Sequence, residues 1–459
     1  MAGGAAAATG VKAAGPPLSK KQEYFAFALI TSLFFLWGIS YGLIDVLNSK
    51  VQKSFGITKL QSTMLQVAYF GAYLVFSIPA SLIASRFGYR VAVITGLCLY
   101  CCGALAFWPS AHFEAYGGFV GSAFIIACGL ATLETVANSY ITVLGTPERA
   151  AFRLNFAQSF NGLAAFLGPL IASKTFLTEK EANSLTSVQY VYLAVACLGA
   201  AVAVLFVFAK LPEITEENLE DEQEAAGVAD VRPLWQRKHT VFGFVSQFCY
   251  VGAQVTTATF VVNLFKESKH HAMTSSQAAE MLTYAQVAFM VSRFAATPLL
   301  HFFNPSVILS LFATLCSVGA IVIATTEGHA MTAGVFMIFI GESVIYPTTF
   351  SLATSNLGRL SKRGAGLLCM GVAGGAAFPP MQGALADAKN TNVSYMIAFA
   401  GFCVPIMYGA GMFFYTRRFA ATVAQNLALQ QEYVGGNGLE KSESVDKIED
   451  SQVEAAIRV

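Results

Sequence analysis

Long apolar runs recur along this chain, and they constrain its fold more than any other feature. A bilayer core about 30 Å thick is crossed by a helix of about 20 apolar residues, and twelve runs fit that length. Six lie in the first half, at about 24–47, 62–84, 91–109, 117–144, 155–176 and 189–209. Six follow, at about 240–264, 278–300, 305–325, 330–355, 364–387 and 395–416. The pattern predicts an all-α polytopic membrane protein with twelve transmembrane helices.

The charge content supports a membrane protein rather than a soluble one. Only 12% of the 459 residues are charged, against about 25% in a typical soluble chain. The formal net charge is +1, so nothing in the charge balance points to a nucleic-acid partner. We expect the partners to be the lipid bilayer and a small solute, and the protein to function as a monomer.

A strongly charged segment divides the chain into two blocks of six helices. We predict a disordered N-terminus, a six-helix half, a cytoplasmic linker, a second six-helix half and a disordered tail. Their bounds are 1–23, 24–209, 210–239, 240–416 and 417–459. Lysine and arginine favour one side of the predicted spans by nearly two to one. This bias predicts that both termini are cytoplasmic, and we expect the membrane to be the plasma membrane.

The two halves share an internal repeat at shifts of 208 to 210 residues. The matched pairs are Asp45 with Gln254, Glu134 with Glu342, Arg153 with Arg363, and Pro169 with Pro379. Two pseudo-symmetric six-helix halves are the plan of the major facilitator superfamily, whose members bind substrate between the halves near the midplane.

Charge in the bilayer centre costs on the order of 3 kcal/mol or more, and we take four ionisable residues of the predicted spans as candidates there. They are Asp45, Glu134, Arg293 and Glu342. Asp45 and Glu134 are candidates for proton coupling, since a carboxylate in an apolar cavity can exchange protons near neutral pH. Two alternatives stay open: Asp45 is solvated at the extracellular mouth, or Glu134 forms a fixed salt bridge with Arg293.

Aromatic and amide side chains near these carboxylates suit a sugar. Trp37, Tyr41 and Asp45 share one helical face, and indole faces stack on sugars while carboxylates and amides bond hydroxyls. The other candidate substrate contacts are Glu134, Asn138, Gln158, Asn161 and Gln254. The amides of the fifth span serve equally well in bonds between helices.

Several stretches resemble the fucose/galactose/glucose–proton symporter family of the major facilitator superfamily. They include FFLWG before Asp45, LETVANSY around Glu134, RLNFAQSFNG in the fifth span and PTTFSLATSNLG in the tenth. The resemblance covers all twelve spans. It implies roles in proton coupling and sugar binding for Asp45 and Glu134, and in sugar binding for Gln158 and Asn161.

The sequence departs from that family at Gln254, where many relatives carry a glutamate, and at Glu342 in the tenth span. We predict a secondary transporter that moves a monosaccharide (L-fucose, galactose or glucose) with a proton by alternating access. A uniporter, a sodium-coupled carrier and a non-transporting sugar sensor remain alternatives. No catalytic pair, metal motif or phosphate-binding loop suggests an enzyme or a cofactor beyond the coupling proton.

Overall fold

The computed structural model describes most of the chain, and all its regular structure there is helical. The described residues are 20–55, 64–146, 149–175, 185–209, 232–268 and 273–436. Within them, side chains are described except at positions 41, 44–54, 169–175, 186–187, 275–276 and 419–436. Most of the predicted linker therefore lies outside the described residues, and the division into two halves stays a prediction.

Five long helices form the first half of the described chain. They are α1 (Lys20–Phe55), α2 (Met64–His112), α3 (Tyr116–Val143), α4 (Ala150–Thr175) and α5 (Thr186–Phe208). Eight helices follow: α6 (Lys238–Glu267), α7 (Ser275–Ala296), α8 (Pro305–Thr325), α9 (Gly328–Glu342), α10 (Ile345–Ala353), α11 (Ser361–Met370), α12 (Gly374–Ala388) and α13 (Met396–Gly436). Short helical turns join several of them.

Nine helical segments of the described chain are long and apolar enough to cross a membrane. One of these, α2, has 49 residues and bends at Gly88, whose φ of 85° suits glycine. Its two arms correspond to the predicted second and third spans. Helices α4 and α7, with 26 and 22 residues, have sufficient length but more polar sequences. Counting these gives the twelve predicted crossings, a number that remains a prediction.

Three crossings of the second half show a defined helix start or a break. Thr274 and Gln277 form a capping box at the start of α7, which satisfies two exposed N–H groups. Asn304 caps α8, where Pro305 occupies the first turn. Helices α9 and α10 together form one crossing, broken at residues 343–344.

Glycines make very close helix contacts in both halves, and one such contact in each half joins equivalent helices. Gly38 of α1 lies against the backbone of Asn161 in α4, and a Cβ there would overlap the Asn161 carbonyl oxygen. Gly374 of α12 lies in the same way against the Phe248 carbonyl of α6. Small residues permit such close approach in membranes. The first and fifth spans, and the seventh and eleventh, thus pack alike.

The two halves meet where α11 packs on α2 and α3. Gly366 of α11 contacts Ser77 and Ser81 of α2, and the Lys362 ammonium lies 4.4 Å from the centroid of the Tyr89 ring. All these residues lie toward the side predicted to be cytoplasmic. The interface between the halves is therefore closed on that side.

The outer limits of the first and last helices differ from the predicted ones. Helix α1 begins at Lys20 and α13 continues to Gly436, whereas the prediction placed disordered segments at 1–23 and 417–459. The extension of α13 is rich in alanine, leucine and glutamine, which favour helix. The tail is thus helical as far as Gly436, and residues 437–459 lie outside the described chain.

Candidate functional site

A cavity lies between the two halves and collects most of the predicted site residues. Its empty volume, including the part open to solvent, is about 1070 Å³. Its lining comprises side chains from both halves, among them Trp37, Tyr69, Phe70, Glu134, Gln158, Asn161, Gln254, Gln286, Phe289, Arg293, Phe339, Glu342 and Tyr346. The repeat-related pair Glu134 and Glu342 therefore faces one shared space, as the predicted substrate site requires.

Glu134 is the carboxylate of the first-half wall. It lies on α3, is 5% exposed, and has its Oε2 atom buried with no hydrogen-bond partner among the described residues. The side chains that interact with it are Tyr346, Tyr73 and Asn138. All three are uncharged, so neutralising this carboxylate in a closed cavity requires a proton.

Three amides extend this wall, but only two of them line the cavity. Gln158 Nε2 donates to Asn138 Oδ1 at 3.0 Å, and Asn161 Nδ2 donates to the Phe34 carbonyl of α1 at 3.3 Å. Asn138, predicted to contact substrate, is fully buried behind the lining and directs its Nδ2 toward Cys369 Sγ, 3.8 Å away. It positions the Gln158 side chain instead, because a buried amide must bond whatever packs against it.

Trp37 lines the cavity as predicted, and its indole is held in place. Its Nε1 donates to the Tyr73 hydroxyl at 2.5 Å, and Tyr73 in turn interacts with Glu134. The indole, the phenol and the carboxylate therefore form a chain. Tyr41 and Asp45 lie on α1, but their side chains are outside those that the structure describes, so their predicted roles stay predictions.

Arg293 and Glu342 belong to the second-half wall, together with Gln254. Arg293 donates to the Ser343 and Gln158 carbonyl oxygens and attracts Glu342 electrostatically, whereas the groups that act on Glu134 are all uncharged. The alternative of a Glu134–Arg293 salt bridge is thus wrong for this structure. The reason is positional: Arg293 on α7 reaches the end of α9, and Glu134 on α3 lies against hydroxyl and amide groups.

Several lining residues escaped the sequence interpretation. Tyr346 comes from α10, Gln286 and Phe289 from α7, and Tyr69 and Phe70 from the first arm of α2. Aromatic residues within apolar runs carry no signal that separates lining from core. Pro347, in the first turn of α10, does mark a helix start and was the available sign that Tyr346 lies at a break.

The family model described as "Major Facilitator Superfamily" matches residues 25–368 of the chain. A glucose/galactose transporter of Brucella abortus is 32% identical over 397 residues, which cover 85% of this chain and 95% of the relative. An L-fucose–proton symporter of Escherichia coli is 31% identical over 401 residues, covering 83% of this chain and 91% of that protein.

A solved structure agrees with these sequence matches. The crystal structure of FucP, a transporter of the same superfamily, in the outward conformation has a TM-score of 0.74 and 30% sequence identity. The match covers 85% of this chain and 99% of the FucP chain. The similarity therefore extends over both walls of the cavity.

Proposed function

The chain belongs to the major facilitator superfamily, and we propose that it carries a monosaccharide across a membrane together with a proton. Membership confirms the predicted all-α, multi-pass membrane fold, and a transporter rather than an enzyme. The observation that carries the proposal is the first-half wall of the cavity. There a carboxylate, two amides and an indole, on Glu134, Gln158, Asn161 and Trp37, line one space between two halves.

This wall has the chemistry that a sugar requires. The Trp37 indole offers an apolar face for sugar C–H groups, while Gln158 and Asn161 offer both donors and acceptors to hydroxyls. The printed names of the relatives, a glucose/galactose transporter and an L-fucose–proton symporter, support a monosaccharide substrate. D-Galactose, D-glucose and L-fucose are the candidates.

Proton coupling follows from the cost of burying a bare charge. When the halves close around the sugar, a deprotonated Glu134 would lose the remaining solvent and face only uncharged neighbours. A protonated Glu134 avoids that cost, so the loaded, protonated carrier crosses readily and the empty, charged one slowly. Asp45, on α1 of the same half, is the first candidate for the coupling site from the sequence, and Glu134 completes the predicted pair.

The observed arrangement fits one state of an alternating-access cycle. The halves contact each other at Gly366 and Lys362, on the side predicted to be cytoplasmic, and the cavity is partly open to solvent. With cytoplasmic termini in a plasma membrane, this state would receive sugar and proton from outside.

The test is uptake of labelled D-galactose, D-glucose and L-fucose into vesicles containing the full chain, with and without an inward proton gradient. We expect the gradient to drive accumulation of at least one sugar. Asp45→Asn should still exchange that sugar across the membrane but no longer concentrate it. Asp387→Asn, which removes an exposed carboxylate of α12, is the matched control and should accumulate sugar normally.

Three results would contradict the proposal. Sugar equilibration that ignores the proton gradient would make the protein a uniporter, and accumulation driven by a sodium gradient would make it a sodium-coupled carrier. Binding of a sugar without any exchange would favour a sensor.

A further inference from the structure

The crossing formed by α9 and α10 is broken beside the cavity, and side chains of the same half hold the break. The Tyr250 hydroxyl donates to the Glu342 carbonyl oxygen at 2.8 Å. Arg293 Nε donates to the Ser343 carbonyl oxygen at 2.6 Å. Broken helices are tolerated in membranes where neighbours satisfy the freed backbone groups, and breaks of this kind mark binding sites in transporters. Glu342 is the last residue before this break.

The Glu342 side chain is built into the cavity wall without a complete set of partners. It is 2% exposed and lines the cavity, and its Oε1 atom is buried with no hydrogen-bond partner among the described residues. A buried carboxylate oxygen without a partner is costly. In a native structure such an atom calls for an explanation, and a ligand that donates to it is one.

Arg293 lines the same cavity and bonds the residue that follows Glu342. It is 3% exposed, lies 4.5 Å from the centroid of the Phe289 ring, and donates from Nη1 to the Gln158 carbonyl oxygen of the opposite half at 3.2 Å. These contacts fix the guanidinium in place. Two of its five N–H donors bond backbone carbonyls, so other donors remain on a side chain that lines the cavity.

We propose that Arg293 and Glu342 form a second hydroxyl-binding site, contributed by the second half of the protein. A carboxylate that accepts and a guanidinium that donates, lining one cavity, match a sugar diol, whose hydroxyls both donate and accept. The opposite charges attract each other, so this site suits an uncharged polyol rather than an anion. This inference rests on the proposed function. It predicts that side chains of the second half determine which pattern of sugar hydroxyls binds.

The consequence is that one sugar is bound from both sides. Glu134, Gln158 and Asn161 contact it from the first half, and Arg293 and Glu342 contact it from the second. Because Arg293 also bonds the Gln158 carbonyl across the interface, sugar binding at this site acts directly on a contact between the halves.

The test measures exchange of labelled D-galactose in the presence of unlabelled competitors. The competitors are D-galactose itself and its 2-, 3-, 4- and 6-deoxy analogues, and the inhibition gives an apparent affinity for each. If the native protein exchanges D-glucose or L-fucose instead, that sugar and its own deoxy analogues replace D-galactose and its analogues. The variants are Glu342→Gln, which preserves shape, and Arg293→Lys, which preserves charge. Glu267→Gln is the control, since Glu267 accepts from Thr391 at 2.6 Å and does not line the cavity. Size-exclusion profiles in detergent establish folding.

We expect one deoxy analogue to bind the native protein about tenfold more weakly than the parent sugar, because it lacks one hydrogen bond to a charged group. In Glu342→Gln the affinity for the parent sugar should fall by a similar factor, and the ratio of the affinities for the parent sugar and that analogue should fall toward one. The control keeps both values. If Glu342→Gln instead lowers the affinity for the parent sugar and every analogue by the same factor, or lowers none of them, the second site is overturned. The proposal of sugar transport would still stand.

Arg293→Lys keeps the experiment decisive if Glu342→Gln does not fold. It should reduce the same preference, and an unchanged preference would overturn the proposal. A native protein that exchanges none of the three sugars would overturn the proposed function itself, and the second site with it.

Discussion

Glu134 and Glu342 occupy equivalent positions in the two halves of the repeat, yet their surroundings differ. Glu134 interacts with two tyrosines and an asparagine, whereas Glu342 lies within the attraction of Arg293. Two opposite charges can enter a closed cavity together without net charge. A lone carboxylate can do so only by taking up a proton. The first-half wall, with Glu134, is therefore suited to proton coupling, and the second-half wall, with Arg293 and Glu342, is suited to binding without a change of charge.

The two halves share a close contact between a glycine and a backbone carbonyl, and disrupting this contact gives the largest expected effect. Gly38→Val and Gly374→Val should each push two helices apart, at a cost of about 2–3 kcal/mol. A Cβ at either position overlaps a backbone carbonyl, of Asn161 or Phe248 respectively. Thermal unfolding of the purified protein in detergent measures the loss as a lower transition temperature.

Gly71→Val and Gly411→Val are the matched controls, one in each half. A Cβ at Gly71 or at Gly411 meets no atom within 4 Å, so their transition temperatures should stay near that of the native protein. If the control in either half unfolds as early as its partner variant, the close contact is not what limits stability there.

A smaller effect distinguishes the chemistry of the two walls. Tyr73→Phe removes the hydroxyl that accepts from Trp37 and interacts with Glu134. Tyr250→Phe removes the donor to the Glu342 carbonyl. Each loss is worth about 1 kcal/mol, or a severalfold change. We expect Tyr73→Phe to lower proton-driven accumulation, and Tyr250→Phe to raise the apparent KM at an unchanged accumulation ratio.

Uptake measured over a series of sugar concentrations and proton gradients resolves both quantities. If both variants alter the accumulation ratio equally, the two walls do not differ in the way described above.

The sequence predicted an apolar, multi-pass helical fold and the equivalence of Glu134 and Glu342 in the repeat, and the structure places both glutamates on one cavity. Apolar length and the repeat at a shift of 208 residues carry that information, since equivalent positions on equivalent helices face the same axis. The same patterns identified Gln158, Asn161 and Gln254 as cavity residues, and the structure brings these amides to the lining.

The sequence did not reveal which side chains of different helices contact each other. Nothing in the spacing of Arg293 shows that it contacts the end of α9 and the Gln158 carbonyl rather than Glu134. Asn138 follows Glu134 by one turn, so periodicity places both on one face. Only Glu134 lines the cavity, because Gln158 packs over Asn138 and bonds it. Contacts of this kind depend on how helices of both halves fit together, which periodicity does not encode.

The most direct test of the difference between the walls is the ratio of protons to sugar molecules transported. Sugar-induced pH change in a weakly buffered vesicle suspension gives the protons, and labelled uptake gives the sugar, for the native protein, Glu134→Gln and Glu342→Gln. We predict that Glu134→Gln lowers the ratio toward zero. Glu342→Gln should slow transport but keep the native ratio. A native ratio in Glu134→Gln, or a lowered one in Glu342→Gln, would contradict the assignment of coupling to the first half.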